Sequence, residues 1–201
     1  MGIVRENDSV LIGIDEAGRG PLAGPVTAAA VLLDLDSPLE EINDSKKLTA
    51  RKRERLCEEI KASAKDYGIG LADPHEIDKI NILQASLLAM QRAIDQLKTQ
   101  WTLALVDGNR PIPSLHAARQ KTIIRGDGTS ASIAAASILA KVERDRIMED
   151  NHFRYPLYEF SSNKGYPTPR HKKLISKNGI CPIHRKSFCL PTLSEIVLPL
   201  E

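Results

Sequence analysis

Four acidic residues, Asp15, Glu16, Asp107 and Asp127, each close an apolar run at a glycine-containing turn, in "VLIGIDEAG", "LALVDG" and "TIIRGDG". Side chains at the strand ends of an α/β sheet collect at the crevice where ligands bind, so acids far apart in sequence can share one pocket. Carboxylates crowded there repel one another at low effective dielectric, and such a cluster normally exists around cations. Oxygen-only ligands select Mg²⁺ or Mn²⁺. Two such ions about 4 Å apart can activate a water and neutralise a leaving oxygen in phosphodiester hydrolysis, chemistry that needs carboxylates and no nucleophilic side chain. Each Asp by itself is also an ordinary turn former or helix cap, Asp127 most clearly so because a helix follows it. The Asp15–Glu16 pair fits that alternative poorly, since Glu has little use in turns. Within a regular strand the two face opposite sides, and a bend at Ala17 and Gly18 is expected to relieve that.

The loop that follows the first acids carries a cation between two glycines: Gly18, Arg19 and Gly20. "GRGPLA" satisfies the loose dinucleotide pattern, but that fingerprint needs a helix opening at the glycines. Pro21, Gly24 and Pro25 leave no room for one, and the preceding acids repel a pyrophosphate. The glycines instead let the backbone approach a sugar or phosphate closely, while Arg19 supplies donors beside the acids. Backbone groups can read a 2′-hydroxyl, which distinguishes RNA from DNA. The competing reading is a plain tight turn.

Holding these groups requires a sheet. "SVLIGID" is a nearly continuous apolar run ending in Asp and predicts a central strand buried on both faces. "PVTAAAVLLD", "YGIGLAD", "WTLALVDG" and "AARQKTIIRGD" predict four more strands. Helices are expected over "LTARKRERLCEEIKASAKD", over "ILQASLLAMQRAIDQLKTQ" with Asn81 as its cap, and over "SASIAAASILAKVERDRIM" opened by Thr129 or Ser130. The alternation indicates an α/β fold, and the short link after "GPLAG" allows an antiparallel hairpin, hence a mixed central sheet flanked by helices. From Asn151 onward Pro, Lys and His dominate and periodicity weakens. One domain is expected over 1–201, with a core to about 150 and a C-terminal helical and loop extension from about 151 covering one edge.

The totals fit a globular chain: 201 residues, 42% hydrophobic and 27% charged. A formal charge of +2 does not announce a nucleic-acid binder, but basic residues crowd into "DSKKLTARKRER" and "YPTPRHKKLISK", which could follow a phosphate backbone or simply solvate helix faces. Cys57, Cys181 and Cys189 have no paired spacing and read as reduced thiols. With no signal-like start and no transmembrane-length run, a cytoplasmic protein without membrane attachment is expected.

The segments "GIDEAGRGPLAGPV", "DSKKL", "NILQAS", "VDGN", "GDGTSASIAAASILAKVERD" and "KGYPTPRH", in this order over nearly the whole chain, closely resemble bacterial ribonuclease HII. The resemblance implies an RNase H-like fold and endonucleolytic cleavage of RNA in RNA/DNA hybrids and at ribonucleotides embedded in duplex DNA. It implies attack on the 5′ side of the ribonucleotide, leaving 5′-phosphate and 3′-hydroxyl ends. Asp15, Glu16, Asp107 and Asp127 match the metal-binding catalytic set, and Gly18, Arg19 and Gly20 match the loop that recognises the ribose at the junction. Tyr166 matches a tyrosine packing on the following deoxyribose. Lys46, Asn81 and Gln84 fall in segments that contact phosphates, with a helix cap at Asn81 and solvated positions for the others as alternatives. Arg19, where ribonuclease HIII has Lys, favours HII. "LPTLSEIVLPLE" shows no sliding-clamp motif, so a monomer with no obligate protein partner is expected. Two rival functions stay open on sequence grounds: a DNA-processing nuclease of the resolvase or transposase kind, and a non-catalytic duplex-binding module.

Overall fold

The computed structural model describes residues 10–34 and 49–188. Lys46 and its "DSKKL" segment, Cys189 and the C-terminal "LPTLSEIVLPLE" lie outside the described residues. Five strands form one sheet in the order β3-β2-β1-β4-β5: β1 (Leu11–Ala17), β2 (Val26–Leu32), β3 (Asp66–Ala72), β4 (Leu103–Asp107) and β5 (Gln120–Ile123). The β1–β2 and β2–β3 pairs are antiparallel, whereas β4 runs parallel to both β1 and β5. The sheet is therefore mixed, with a hairpin at its start and parallel strands where the acids lie.

Helices cover both faces. On one, Ile12 and Ile14 of β1 join Val26, Ala28 and Ala30 of β2 under α2 (Pro74–Ile94). On the other, Ala29 and Val31 meet α1 (Ala50–Ser63) and α3 (Ala131–Arg154). The buried face of α3 is built from Ala134, Ala135, Ala136 and Ala140, small residues that let the helix lie close on the strands. The approach is tightest at Gly13, where a Cβ would stand 2.1 Å from the Ser132 carbonyl carbon.

The second helix starts eight residues before the expected stripe. Asp73 and Glu76 form a reciprocal capping box with Pro74 in the first turn, a signature that outranks hydrophobic periodicity in fixing a helix start. Asn81 is nevertheless a cap as read, at an internal kink: its φ is 65° and its side chain accepts from the Leu83 and Gln84 N–H groups at 3.0 and 3.2 Å.

Beyond α3 come a one-turn 3₁₀ helix (Pro156–Tyr158), α4 (Phe160–Asn163) and α5 (Pro169–Asn178). Their apolar cluster of Tyr158, Phe160, Leu174 and Ile175 closes on Leu22, Ala23 and Met148. The extension thus docks on the segment joining β1 to β2. Among the described residues no helix is long and apolar enough to cross a membrane.

Candidate active site

The sheet register places the acids. Ile14 of β1 lies opposite Val106 of the parallel β4, so the next residue on each strand is Asp15 and Asp107. Ile12, Ile14, Ala104 and Val106 all belong to the core under α2. By strand alternation Asp15 and Asp107 therefore turn to the α3 face. Asp107 Oδ1 accepts the Gly126 N–H at 2.6 Å, which ties the 3₁₀ turn Gly126–Gly128 and its Asp127 to the end of β4. Asp15 and Asp127 are 6% and 5% exposed. The helix cap of α3 is Ser130, whose hydroxyl accepts the Ile133 N–H at 3.5 Å, so the capping alternative for Asp127 is excluded.

The expected bend at Ala17 and Gly18 comes at its far end, where β1 stops at Ala17 and Gly18 takes a φ of +98°. Pairing of β1 with β2 runs on to Ala17 opposite Thr27, and the Glu16 N–H donates to Asp15 Oδ1 at 2.7 Å. The charges still meet. Burial pushes the Asp15 carboxyl well above the ordinary range, Glu16 and Asp107 add to the shift, and a hydrogen bond from Ser137 opposes it. Burial raises Glu16 too, against the pull of Arg19 and with a push from Asp107. Arg19 Nη1 lies 3.4 Å from Glu16 Oε1.

Three carboxylates thus sense one another, with the fourth on a turn anchored to one of them. Among the described residues no three Asp, Glu, His or Cys side chains close to the spacing of a single ion's shell. The donor set is oxygen only, and burial with neighbouring negative charge penalises the charged forms of Asp15 and Glu16, which fits a hard divalent cation.

The glycine loop is held from beneath. Gly18 has φ +98°, and a Cβ there would meet Arg144 Nε at 2.1 Å, so only glycine fits both the backbone and the space. Arg19 and Gly20 are exposed. The fully buried Arg185 donates to the carbonyls of Gly18, Arg19, Gly24 and Pro25 at 2.6, 3.0, 2.9 and 3.1 Å. Tyr166 is 38% exposed, with the Arg144 guanidinium 5.5 Å from its ring centre. Asn81 and Gln84 are exposed on the first half of α2.

Sequence reading missed Ser137, Arg144 and Arg185. Arg144 and Ser137 lie in the segment read only as a small-residue helix, and Arg185 in the weakly periodic extension, where no role attaches to it. His171 and His184 are buried and bonded to each other, Nε2 to Nε2 at 3.1 Å; His171 Nδ1 meets the Tyr166 carbonyl at 2.9 Å and His184 Nδ1 accepts the Cys181 N–H at 2.9 Å.

A mixed five-stranded sheet whose parallel strands carry carboxylates near the head of a helix is an architecture of the ribonuclease H type. The chain belongs to the ribonuclease HII family, whose model matches residues 12–191. It is 56% identical over 179 residues to a ribonuclease HII of Idiomarina loihiensis, covering 89% of this chain and 95% of that one. It is 52% identical over 186 residues to that of Caldanaerobacter subterraneus, covering 92% and 76%. A crystal structure of ribonuclease H2 from Pyrococcus horikoshii superposes with a TM-score of 0.76 at 28% identity, covering 92% of this chain and 96% of that one. The Archaeoglobus fulgidus ribonuclease HII, solved as a complex with PCNA, gives 0.74 at 27% identity, covering 94% and 98%. The activity is endonucleolytic cleavage of RNA in RNA/DNA hybrids and at embedded ribonucleotides, and the family uses divalent metals. The DNA-processing and non-catalytic readings fall away.

Proposed function

We propose that Asp15, Glu16, Asp107 and Asp127 hold Mg²⁺ or Mn²⁺, two ions during the reaction, and that cleavage falls on the 5′ side of a ribonucleotide to leave 5′-phosphate and 3′-hydroxyl ends. When bound, the ions supply Lewis-acid chemistry, lowering the pKa of the attacking water and neutralising the leaving oxygen. The observation that carries this reading is geometric: adjacent parallel strands bring Asp15 and Asp107 to one level, and Asp107 accepts the Gly126 N–H of the turn that holds Asp127.

The chain's own groups do the positioning. Asp15 and Asp107 are fixed by adjacent parallel strands and Asp127 by the turn into α3. Gly18, Arg19 and Gly20 offer bare backbone and a guanidinium to the ribose, and Tyr166 packs on the following deoxyribose, where a 2′-hydroxyl is unwelcome. Lys46, Asn81 and Gln84 contact flanking phosphates, and no covalent enzyme intermediate forms. The chain acts as one catalytic domain with the extension flanking the substrate groove, as a monomer in the cytoplasm. The free Cys57 and Cys181 support that compartment, and no obligate protein partner or membrane is involved.

The test is Asp127→Asn on a duplex bearing one ribonucleotide. Turnover should fall at least about a thousandfold, as for loss of a main charge-stabilising group, while the duplex still binds. Undiminished cleavage refutes the assignment.

A further inference from the structure

Two arginines with no exposed surface, Arg144 of α3 and Arg185 of the extension, lie against the main chain of the glycine loop. Burying a guanidinium is costly unless its donors are met. Here the acceptors are main-chain carbonyls, and most of them belong to one short stretch. Arg185 takes two at the start of the loop, from Gly18 and Arg19, and two at its end, from Gly24 and Pro25. Arg144 Nε donates to the Pro25 carbonyl at 3.2 Å, and its Nη2 to those of Ala23 and Lys164 at 3.2 and 2.9 Å.

Each set of bonds has a geometric consequence. In a trans peptide the carbonyl and the following N–H point in opposite directions. Holding the Gly18 and Arg19 carbonyls inward on Arg185 therefore turns the N–H groups of Arg19 and Gly20 outward, and both residues are exposed. Arg144 joins two segments far apart in sequence: the end of the glycine loop and the residue two before Tyr166. Main-chain bonds complete the frame, Leu22 N–H to the Gly165 carbonyl at 2.8 Å, Arg185 N–H to that of Leu22 at 2.8 Å and Gly24 N–H to that of Ile183 at 2.9 Å. The Arg144 guanidinium also lies 5.5 Å from the Tyr166 ring centre, while its Nη1 has no hydrogen-bond acceptor.

We propose that Arg185 and Arg144 are specificity-determining positioning residues. Arg185 aims the Arg19 and Gly20 N–H donors at the ribose hydroxyl, and Arg144 fixes the offset between that loop and Tyr166, so that a ribose and the next deoxyribose are accepted as one unit. This rests on the reading of the glycine loop and Tyr166 as the two sugar-contacting elements.

The readout is junction selectivity, the ratio of kcat/KM on a duplex with one embedded ribonucleotide to that on a uniform RNA/DNA hybrid, measured with Mg²⁺ for wild type, Arg185→Met, Arg144→Met and Tyr166→Ala. The ratio should fall about tenfold or more in both arginine variants, because a misplacement of about 1 Å suffices for effects of that size. A general loss of stability lowers both substrates alike and leaves the ratio where it was. If Tyr166→Ala leaves the ratio unchanged, the sugar-contact reading fails; if Tyr166→Ala lowers it and the folded arginine variants do not, the positioning proposal is overturned. Amide hydrogen exchange on the wild type covers variants that do not fold. The Leu22, Gly24 and Arg185 amides should be protected as strongly as the β1–β2 ladder, and their exchange by local opening while that ladder stays closed overturns the proposal.

Discussion

Replacing Gly13 by alanine puts a methyl group into the backbone of a helix. The added Cβ would stand 2.1 Å from the Ser132 carbonyl carbon, 2.3 Å from the Ile133 nitrogen and 2.4 Å from the Ser132 oxygen. Ordinary contact begins at 3.4 Å, so the head of α3 must withdraw from β1 by about 1.3 Å. Asp127 sits on the turn that enters this helix, whereas Asp15 and Asp107 stay on their strands. The substitution therefore separates the acids without removing one. Overpacking of this kind costs about 1–3 kcal/mol. At about 2–4 °C per kcal/mol for a chain of this size, Tm falls by about 2–12 °C. A reacting group displaced by about 1 Å costs on the order of a hundredfold in rate. The assay is single-turnover cleavage of a duplex with one ribonucleotide, at saturating Mg²⁺ and well below Tm, with duplex affinity measured alongside. Gly20→Ala serves as the stability control, because nothing lies within 4 Å of its added Cβ, and its stability should stay within about 0.5 kcal/mol of wild type. Wild-type rate in a folded Gly13→Ala variant refutes the claim that α3 sets the position of Asp127.

Asp15 has a folded pKa raised above its ordinary 3.8, so the metal-free protein loses stability as pH rises from that value through the folded one. Asp15→Asn should accordingly raise Tm in chelator by the equivalent of about 0.5–2 kcal/mol while abolishing cleavage, and Mn²⁺ should raise Tm of wild type but little that of the variant; a lower Tm for the variant in chelator contradicts the burial argument. The His184 ring has the opposite sign of linkage. Burial and His171 lower its pKa from 6.5 to about 4, so its contribution is complete above 6.5 and is lost as pH falls toward 4. Between pH 7 and 5 urea denaturation should show a loss on the order of 2 kcal/mol, since a second proton on the His184 ring goes to Nδ1 and sets N–H against the Cys181 N–H that this atom accepts, and His184→Gln should flatten that slope.

The part of the fold legible in the sequence is the part where one physical signal acts alone. β1 and β4 are apolar runs that stop at an acid, and the parallel register then delivers Asp15 and Asp107 to the same level. The hairpin followed from the short link after the glycine loop. Competition between signals hid the rest. The true start of α2 lies in the polar Asp73–Glu76 box, outside its apolar stripe. The extent of β1, through Ala17, depends on its pairing with Thr27 of β2. Asp127, Thr129 and Ser130 all precede the helix as possible caps, and the geometry selects Ser130 among them. Arg144 and Arg185 were illegible for a plainer reason: their acceptors are main-chain carbonyls of residues far away in sequence, which no local pattern reveals.

The most direct test of the central claim is anomalous diffraction from crystals soaked in Mn²⁺ with an uncleaved ribonucleotide-containing duplex bound. Mn²⁺ peaks should lie within ligand distance of Asp15 and Asp107, with Glu16 and Asp127 completing the shells and the phosphate 5′ of the ribonucleotide between them. Peaks away from these four carboxylates, or a duplex seated with that phosphate elsewhere, contradict it.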